Sequence, residues 1–396
     1  MSLNIVTKKP LLFILSAIAL GILVGSYCFV FLSPSLVLLA LAAFLVLSRF
    51  LSSLCLFPAS FLLGVLLVGN SIQRGSEPTV TIPLIEQAEE YMDRQREHLL
   101  LTFQAAGMTA DEYGIVAAVT LGERSAVSSE LRESYRISGA SHLFALSGLH
   151  LSIIFAFLSA FLPTRVFPKS SAVVQILLLW TYVMLVGIHP SLLRAAVMFT
   201  CYCLCRIVSR DAHNTDVLIL TALILLVYNP QWLFDVGFQM SFMAMTGIFL
   251  LATPMMKWVK NPALSYVCGI IAVSFAASLG TFPLIACYFG RVSCYGLLTN
   301  LIVSPCITLL LFCAFLMLLS ASLQPCLAFL SPVTHALSLV LKSAVGFMNS
   351  AIQHIASLPG SSVSGVHISF AQVILLYVLI ACAVLIARHV RHGIRL

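Results

Sequence analysis

The sequence predicts an all-α, polytopic membrane helix bundle of about twelve spans with a short external amphipathic helical segment. Three observations predict it. Of the 396 residues, 60% are hydrophobic and 9% charged, whereas a soluble domain carries roughly 25% charge and about 45 to 50% apolar residues. Apolar runs near the ~20 residues needed to cross a ~30 Å hydrocarbon core recur along most of the chain. The charge is also unevenly placed: residues 71–140 hold 11 of the 14 acids and 6 of the 21 bases, a net of −5, leaving 15 bases and 3 acids, a net of +12, elsewhere.

Twelve runs read as spans: 11–32, 36–48, 53–69, 141–162, 172–188, 191–209, 214–229, 236–256, 264–286, 296–320, 333–356 and 367–387. The first follows Lys8 and Lys9, lacks a small-residue cleavage site and reads as an anchor; Gly21 and Gly25 give it a GxxxG packing face. Basic residues collect in cytoplasmic loops. With the N-terminus inside, Lys8, Lys9, Arg49, Arg165, Lys169, Arg206, Arg210, Lys257, Lys260, Arg388, Arg391 and Arg395 fall on one side, and both termini are cytoplasmic. Residues 71–140 then face outward. Arg194, Arg291 and Lys342 are the exceptions.

Within the outer segment, Leu84, Ala88, Tyr91, Met92, Leu99 and Phe103 share one helical face. Thr109 with Glu112 forms a capping box, and Gly122 stops the helix it opens. Ser129 is placed to cap a further helix, on which Arg132 and Arg136 stand one turn apart. They either meet an anion or pair with Glu130 and Glu133.

Twelve cysteines lie almost all inside apolar runs and behave as small apolar side chains. No paired CxxC appears, and His142 and His150 have no third ligand in view, so no metal and no cofactor is expected.

Polar stripes run through three spans: Asp235, Gln239 and Thr246; Ser274, Ser278 and Thr281; Asn300, Ser304 and Thr308. They either line a wet passage or hold helices together by interhelical hydrogen bonds worth ~0.6 kcal/mol each. Arg194, four residues past Pro190, is ~6 Å into its helix and either snorkels to the interface or faces a pore.

The segment Ser141-His142-Leu143-Phe144-Ala145-Leu146-Ser147-Gly148-Leu149-His150, entering an apolar span, resembles the ComEC competence family. Leu121-Gly122-Glu123-Arg124, Pro190 to Met198, Asn229-Pro230 through Asp235 to Phe242 with Ser241, and Pro283 through Phe289-Gly290, Asn300 and Pro305 match it in order. The resemblance covers about residues 110–320. It implies a channel domain over 111–396 that imports single-stranded DNA across the bacterial inner membrane during natural transformation. Three spans precede it over 1–70, and a short external linker over 71–110 takes the place of an OB-like domain.

No GxxxxGK[ST] loop occurs in the sequence, so the resemblance implies a cytoplasmic ATPase or helicase as motor. An extracytoplasmic DNA-binding competence protein and a nuclease on a separate chain are further implied partners, with membrane lipid around the bundle. The metallo-β-lactamase-like cluster HxHxDH is absent from the sequence, and nuclease activity is not carried over. The expectation is a channel without chemistry, its path formed by Arg194, Arg291, Gln239, Asn300, Asp235, Ser241 and Ser304, with His142, Ser147, Gly148 and His150 as the entry motif.

Two rival classes remain at this point. A secondary transporter of small anionic or lipid-linked substrates shares the composition but predicts inverted repeats. A rhomboid-like intramembrane serine protease would use Ser147 activated by a histidine from another helix, His335 or His354.

Overall fold

The computed structural model describes residues 10–28, 56–74, 83–208, 214–256 and 261–393. The span expected at 36–48 lies outside these residues, as do Lys8, Lys9, Arg49, Arg210, Lys257, Lys260 and Arg395. The described chain is almost wholly helical. Five helices are long and apolar enough to cross a membrane: α7 (Pro168–Val186), α8 (Pro190–Val208), most of α12 (Pro262–Phe289), α13 (Gly296–Leu323) and α14 (Ser331–Ser357), the last extended by the 3₁₀ turn before it. Shorter apolar segments fall in α1 (Pro10–Cys28), α6 (Gly148–Phe161), α9 (Asn214–Tyr228), α10 (Val236–Gly247) and α15 (Phe370–Gly393). Large apolar side chains such as Leu177, Phe347 and Leu379 stand open on these helices, as lipid contact requires. The protein is an all-α membrane helix bundle.

The chain divides into two compact units. The first comprises Met1–Pro83, Pro168–Ile176 and Val197–Phe242. In it α1 packs on α2 (Leu56–Arg74) through glycine. A Cβ on Gly21 would strike the Phe61 carbonyl, one on Gly64 the Ile18 carbonyl, and one on Gly25 would lie 3.0 Å from Val65 Cα. The GxxxG face is thus filled by a third glycine. Ile18, Ile22, Val68, Ala222, Leu225, Leu226 and Phe238 form the core.

The second unit comprises Leu84–Phe167, Leu177–Ala196 and Met243–Leu396. Its frame is the helical hairpin α13–α14. The free ends of this hairpin meet where β1 (Arg291–Ser293) pairs antiparallel with β2 (Ser362–Ser364), Val292 opposite Val363. α3 (Pro83–Ala105), α4 (Ala110–Leu121) and α5 (Ser129–Ser138) pack on it. Gly114 to Leu121 of α4 are all buried. Thr109 and Glu112 form the expected capping box, and Gly122, at φ 73°, closes the helix. Ser128, not Ser129, caps α5, its hydroxyl accepting from Leu131 N. That hydroxyl also donates to Asp111 Oδ1 at 3.0 Å, a tertiary contact that selects between adjacent serines. Tyr91 is 54% exposed, off the face that Met92 and Leu99 share.

Two spans are irregular. α12 contains Pro283, which has no N–H to give the carbonyl four residues back. One turn earlier, the Gly280 carbonyl accepts the Tyr377 hydroxyl of α15 at 2.8 Å, and the backbone of α10 lies against Gly280 so closely that a Cβ there would sit 2.5 Å from Met243 O. α10 passes into a π-helical turn, Ile248–Ala252, just before the short helix α11 (Thr253–Met256); Pro254 in its first turn removes another amide hydrogen.

Candidate functional site

Four contacts fix how far the segment from Gly107 to Ser138 reaches along α13 and α14. Distances along those helices follow from ~1.5 Å per residue. Thr299 Oγ1 donates to Ser138 O at 2.8 Å, three residues and ~5 Å from the Gly296 end. Tyr135 OH donates to Asn349 Oδ1 at 2.7 Å, ~12 Å from Ser357, at the same end. Glu112 Oε1 would meet a Cβ on Gly346 at 3.8 Å, ~16 Å along. Lys342 Nζ would meet one on Gly107 at 3.6 Å, ~22 Å along. The segment therefore lies beside the spans rather than only at their ends.

The turn after α4 reaches further. Tyr182 OH of α7 donates to Thr120 O at 2.8 Å, and the Tyr182 ring packs on Phe315, 5.9 Å between centroids, ~28 Å along α13 from Gly296. Here Arg96 clasps the helix end: Nε donates to Leu121 O at 2.9 Å and Nη2 to Glu123 Oε2 at 3.0 Å. Arg96 falls between Met92 and Leu99 on the apolar face of α3, so its place was legible as the one charge on that stripe. Glu123 Oε1 accepts from the Ser125 hydroxyl at 2.6 Å and from Ser125 N at 3.0 Å. These Ser125 bonds, aided by Arg96, hold the Glu123 carboxyl below the usual carboxylate range. The Arg132 guanidinium donates to Arg124 O. Arg136 makes a two-pronged pair with Glu133, both contacts 2.7 Å, and Arg291 lies 3.6 Å from the same carboxylate. Of the two readings of Arg132 and Arg136, pairing holds for Arg136.

The entry motif forms a turn and a cap. Ser141–Leu143 is a 3₁₀ turn in which His142 Nδ1 lies 3.2 Å from Gly139 O. The apolar helix then begins at Gly148, because Ser147 keeps extended backbone, φ −118° and ψ 174°. His150 Nδ1 accepts from Ser147 N at 3.3 Å and lies 3.0 Å from Ser147 Oγ. Accepting at Nδ1 puts the hydrogen of the neutral ring on Nε2; that atom is buried and has no protein partner among the described residues. The serine's histidine is thus on its own helix turn, three residues on, instead of being His335 or His354.

The other expected residues divide by unit. In the first, Asp235 Oδ1 accepts from Phe238 N at 2.7 Å and caps α10, while Gln239 Nε2 donates to Leu233 O at 3.0 Å. With Asn229 Oδ1 accepting from Gln231 N, the Asn229–Phe242 motif is a capped turn entering a helix. Ser241 lies one turn after Phe238 and is engaged in further contacts.

In the second unit, Arg194 is 6% exposed and engaged. Asn300 and Ser304 share a face of α13 and are half-buried. The Thr308 hydroxyl donates to Ser304 O and that of Thr281 to Ala277 O. These two stripe hydroxyls are thus bonded to their own helices, a use that alternation along the sequence does not reveal. Among the described residues no group of three or more His, Cys, Asp or Glu could hold a metal ion.

The chain matches the family model described as Competence protein over residues 119–389. It is 31% identical over 237 residues to ComE operon protein 3 of Bacillus subtilis strain 168, covering 60% of this chain and 29% of that one. It is 25% identical over 205 residues to the uncharacterized protein YcaI of Escherichia coli K12, covering 49% and 27%. An uncharacterized Aquifex aeolicus protein is 28% identical over 179 residues, covering 45% and 41%. The chain thus spans under half the length of each of these relatives. No solved structure matches it. With the matched region covering over half the sequence, from the buried end of α4 to α15, the chain belongs to the competence protein family.

Proposed function

We propose that this membrane protein conducts single-stranded DNA inward across the bacterial inner membrane during natural transformation. The observation that carries this reading is the turn Leu121–Ser125, where Arg96 and Glu123 keep 23% and 30% of their side chains exposed beside the spans. Charged groups packed on spanning helices are stable against water or protein and costly against hydrocarbon. On this reading the exposed side of the Arg96–Glu123 pair borders a wet passage that admits a polyanion.

The strand does not move unaided. Moving one negative charge into a cell at 100 mV, inside negative, costs ~2.3 kcal/mol. A cytoplasmic ATPase or helicase pulls, an extracytoplasmic DNA-binding protein delivers, and the termini of the channel face the cytoplasm. The bundle itself performs no chemistry.

Deleting the gene in a transformable host tests this. Labelled DNA should still bind outside the cell while entry into the cytosol stops. Transformation at the parental frequency in the deletion strain would overturn the reading.

A further inference from the structure

Around the turn after α4 nearly every polar group of the described residues is committed, and among these residues Arg124 makes no ion pair. Gly122 adopts φ 73° and lies so close to α7 that a Cβ would sit 3.0 Å from Val186 Cγ1. The turn therefore rests on the α7–α8 connection, which carries His189. Arg96 is spent on Leu121 O and Glu123, and Glu123 is spent on Arg96 and Ser125. The Arg124 carbonyl is taken by Arg132. Its guanidinium is exposed and makes no ion pair among the described residues.

Resting on the DNA-conducting reading above, we propose that Arg124, presented by this fixed turn with His189 beside it, is a phosphate-contact residue that holds the backbone of the passing strand without reading its bases. The physical basis is preorganisation. A guanidinium offers a planar fork of donors matched to two phosphate oxygens, and the Arg96, Ser125 and Arg132 bonds fix the backbone that carries it, so little ordering remains to be done on binding. The half-buried His189 imidazole feels the same positive field: burial first, then Arg124 and Arg96, make it harder to protonate. Its ring already meets the Ile188 backbone, so the guanidinium is the donor offered to phosphate, and the turn's own acid, Glu123, is engaged by Arg96 and Ser125. Contact to backbone alone gives a sequence-independent grip that salt weakens.

The experiment uses the full chain in lipid nanodiscs and a fluorescein-labelled oligothymidylate of 20 nucleotides, read by anisotropy across a salt series. Arg124→Gln should weaken binding about tenfold and flatten the slope of log affinity against log salt by about 0.7, the value for one phosphate contact on a single strand. Arg124→Lys should recover most of that slope, and His189→Gln, which removes no charge, should leave it in place. Glu130→Gln, on the outer face of α5, should change neither value.

A probe with an uncharged methylphosphonate backbone should bind the unaltered protein far more weakly, a result independent of whether a variant folds. Unchanged affinity and slope in Arg124→Gln, with the unaltered protein binding normally, would overturn this assignment and leave the channel standing. Failure of the unaltered protein to bind the charged probe would overturn both.

Discussion

Tyr135 of α5 and Asn349 of α14 share a 2.7 Å hydrogen bond inside a core where Tyr135 is 1% and Asn349 8% exposed. The phenol fills apolar space between the hairpin and the span, and its hydroxyl satisfies the one amide oxygen that α14 turns inward there. Tyr135→Phe keeps the ring and orphans the acceptor, which costs about 1 to 3 kcal/mol. The variant should melt several degrees lower in detergent, and pairing it with Asn349→Leu should recover part of the loss. Additive losses in the double variant would show that the two groups are not coupled.

Gly280 is where α10 and α12 come into backbone contact, with Met243 O in the space a side chain would need. Gly280→Val should therefore force the helices apart and cost about 1 to 3 kcal/mol or more. Reduced abundance and transformation are the expected outcome, whereas Ser278→Ala should be near neutral. Wild-type melting of Gly280→Val would show that the helices separate freely at this point.

Ser147 and His150 separate a structural turn from a catalytic one. As a helix cap, Ser147→Ala should cost about 0.5 to 2 kcal/mol and leave transformation largely intact at normal abundance. Arg194→Ala should impair transformation more. Abolished function in Ser147→Ala with unchanged melting and abundance would instead point to a nucleophile.

Glu123 sets a pH limit. Because its folded pKa is lowered, its contribution is fully present above the ordinary value of ~4.3 and fades as pH falls through the folded value. The melting difference between the unaltered protein and Glu123→Gln should be flat from pH 8 to 5 and shrink only under stronger acid. A difference already vanishing between pH 7 and 6 would contradict this.

Composition made the membrane class legible, and local chemistry made the Thr109 box and the Gly122 stop legible, because each depends on residues within a few positions. The ordered motifs point to the competence family by themselves, since each is a local run of residues. What stayed hidden was tertiary. The charge of residues 71–140 reads as a segment facing water, yet α4 is buried from Gly114 onward and its sequence, apolar all round, carries the sign of that burial. Ser128 displaced Ser129 as a cap through Asp111. The stripes at Thr281 and Thr308 were legible as polar faces, but a hydroxyl that bonds back to its own carbonyl has the same sequence spacing as one that lines a pore.

The Tyr135–Asn349 bond joins residues 214 positions apart. A ribosome adding ~5 to 20 residues per second delivers Asn349 roughly 10 to 40 s after Tyr135. The α4–α5 hairpin cannot settle during that interval, since the helices that receive it have not been made. It waits, unseated, while the described apolar helices α6 to α10 and α12 to α14 are laid into the bilayer, and biogenesis closes from the C-terminal side.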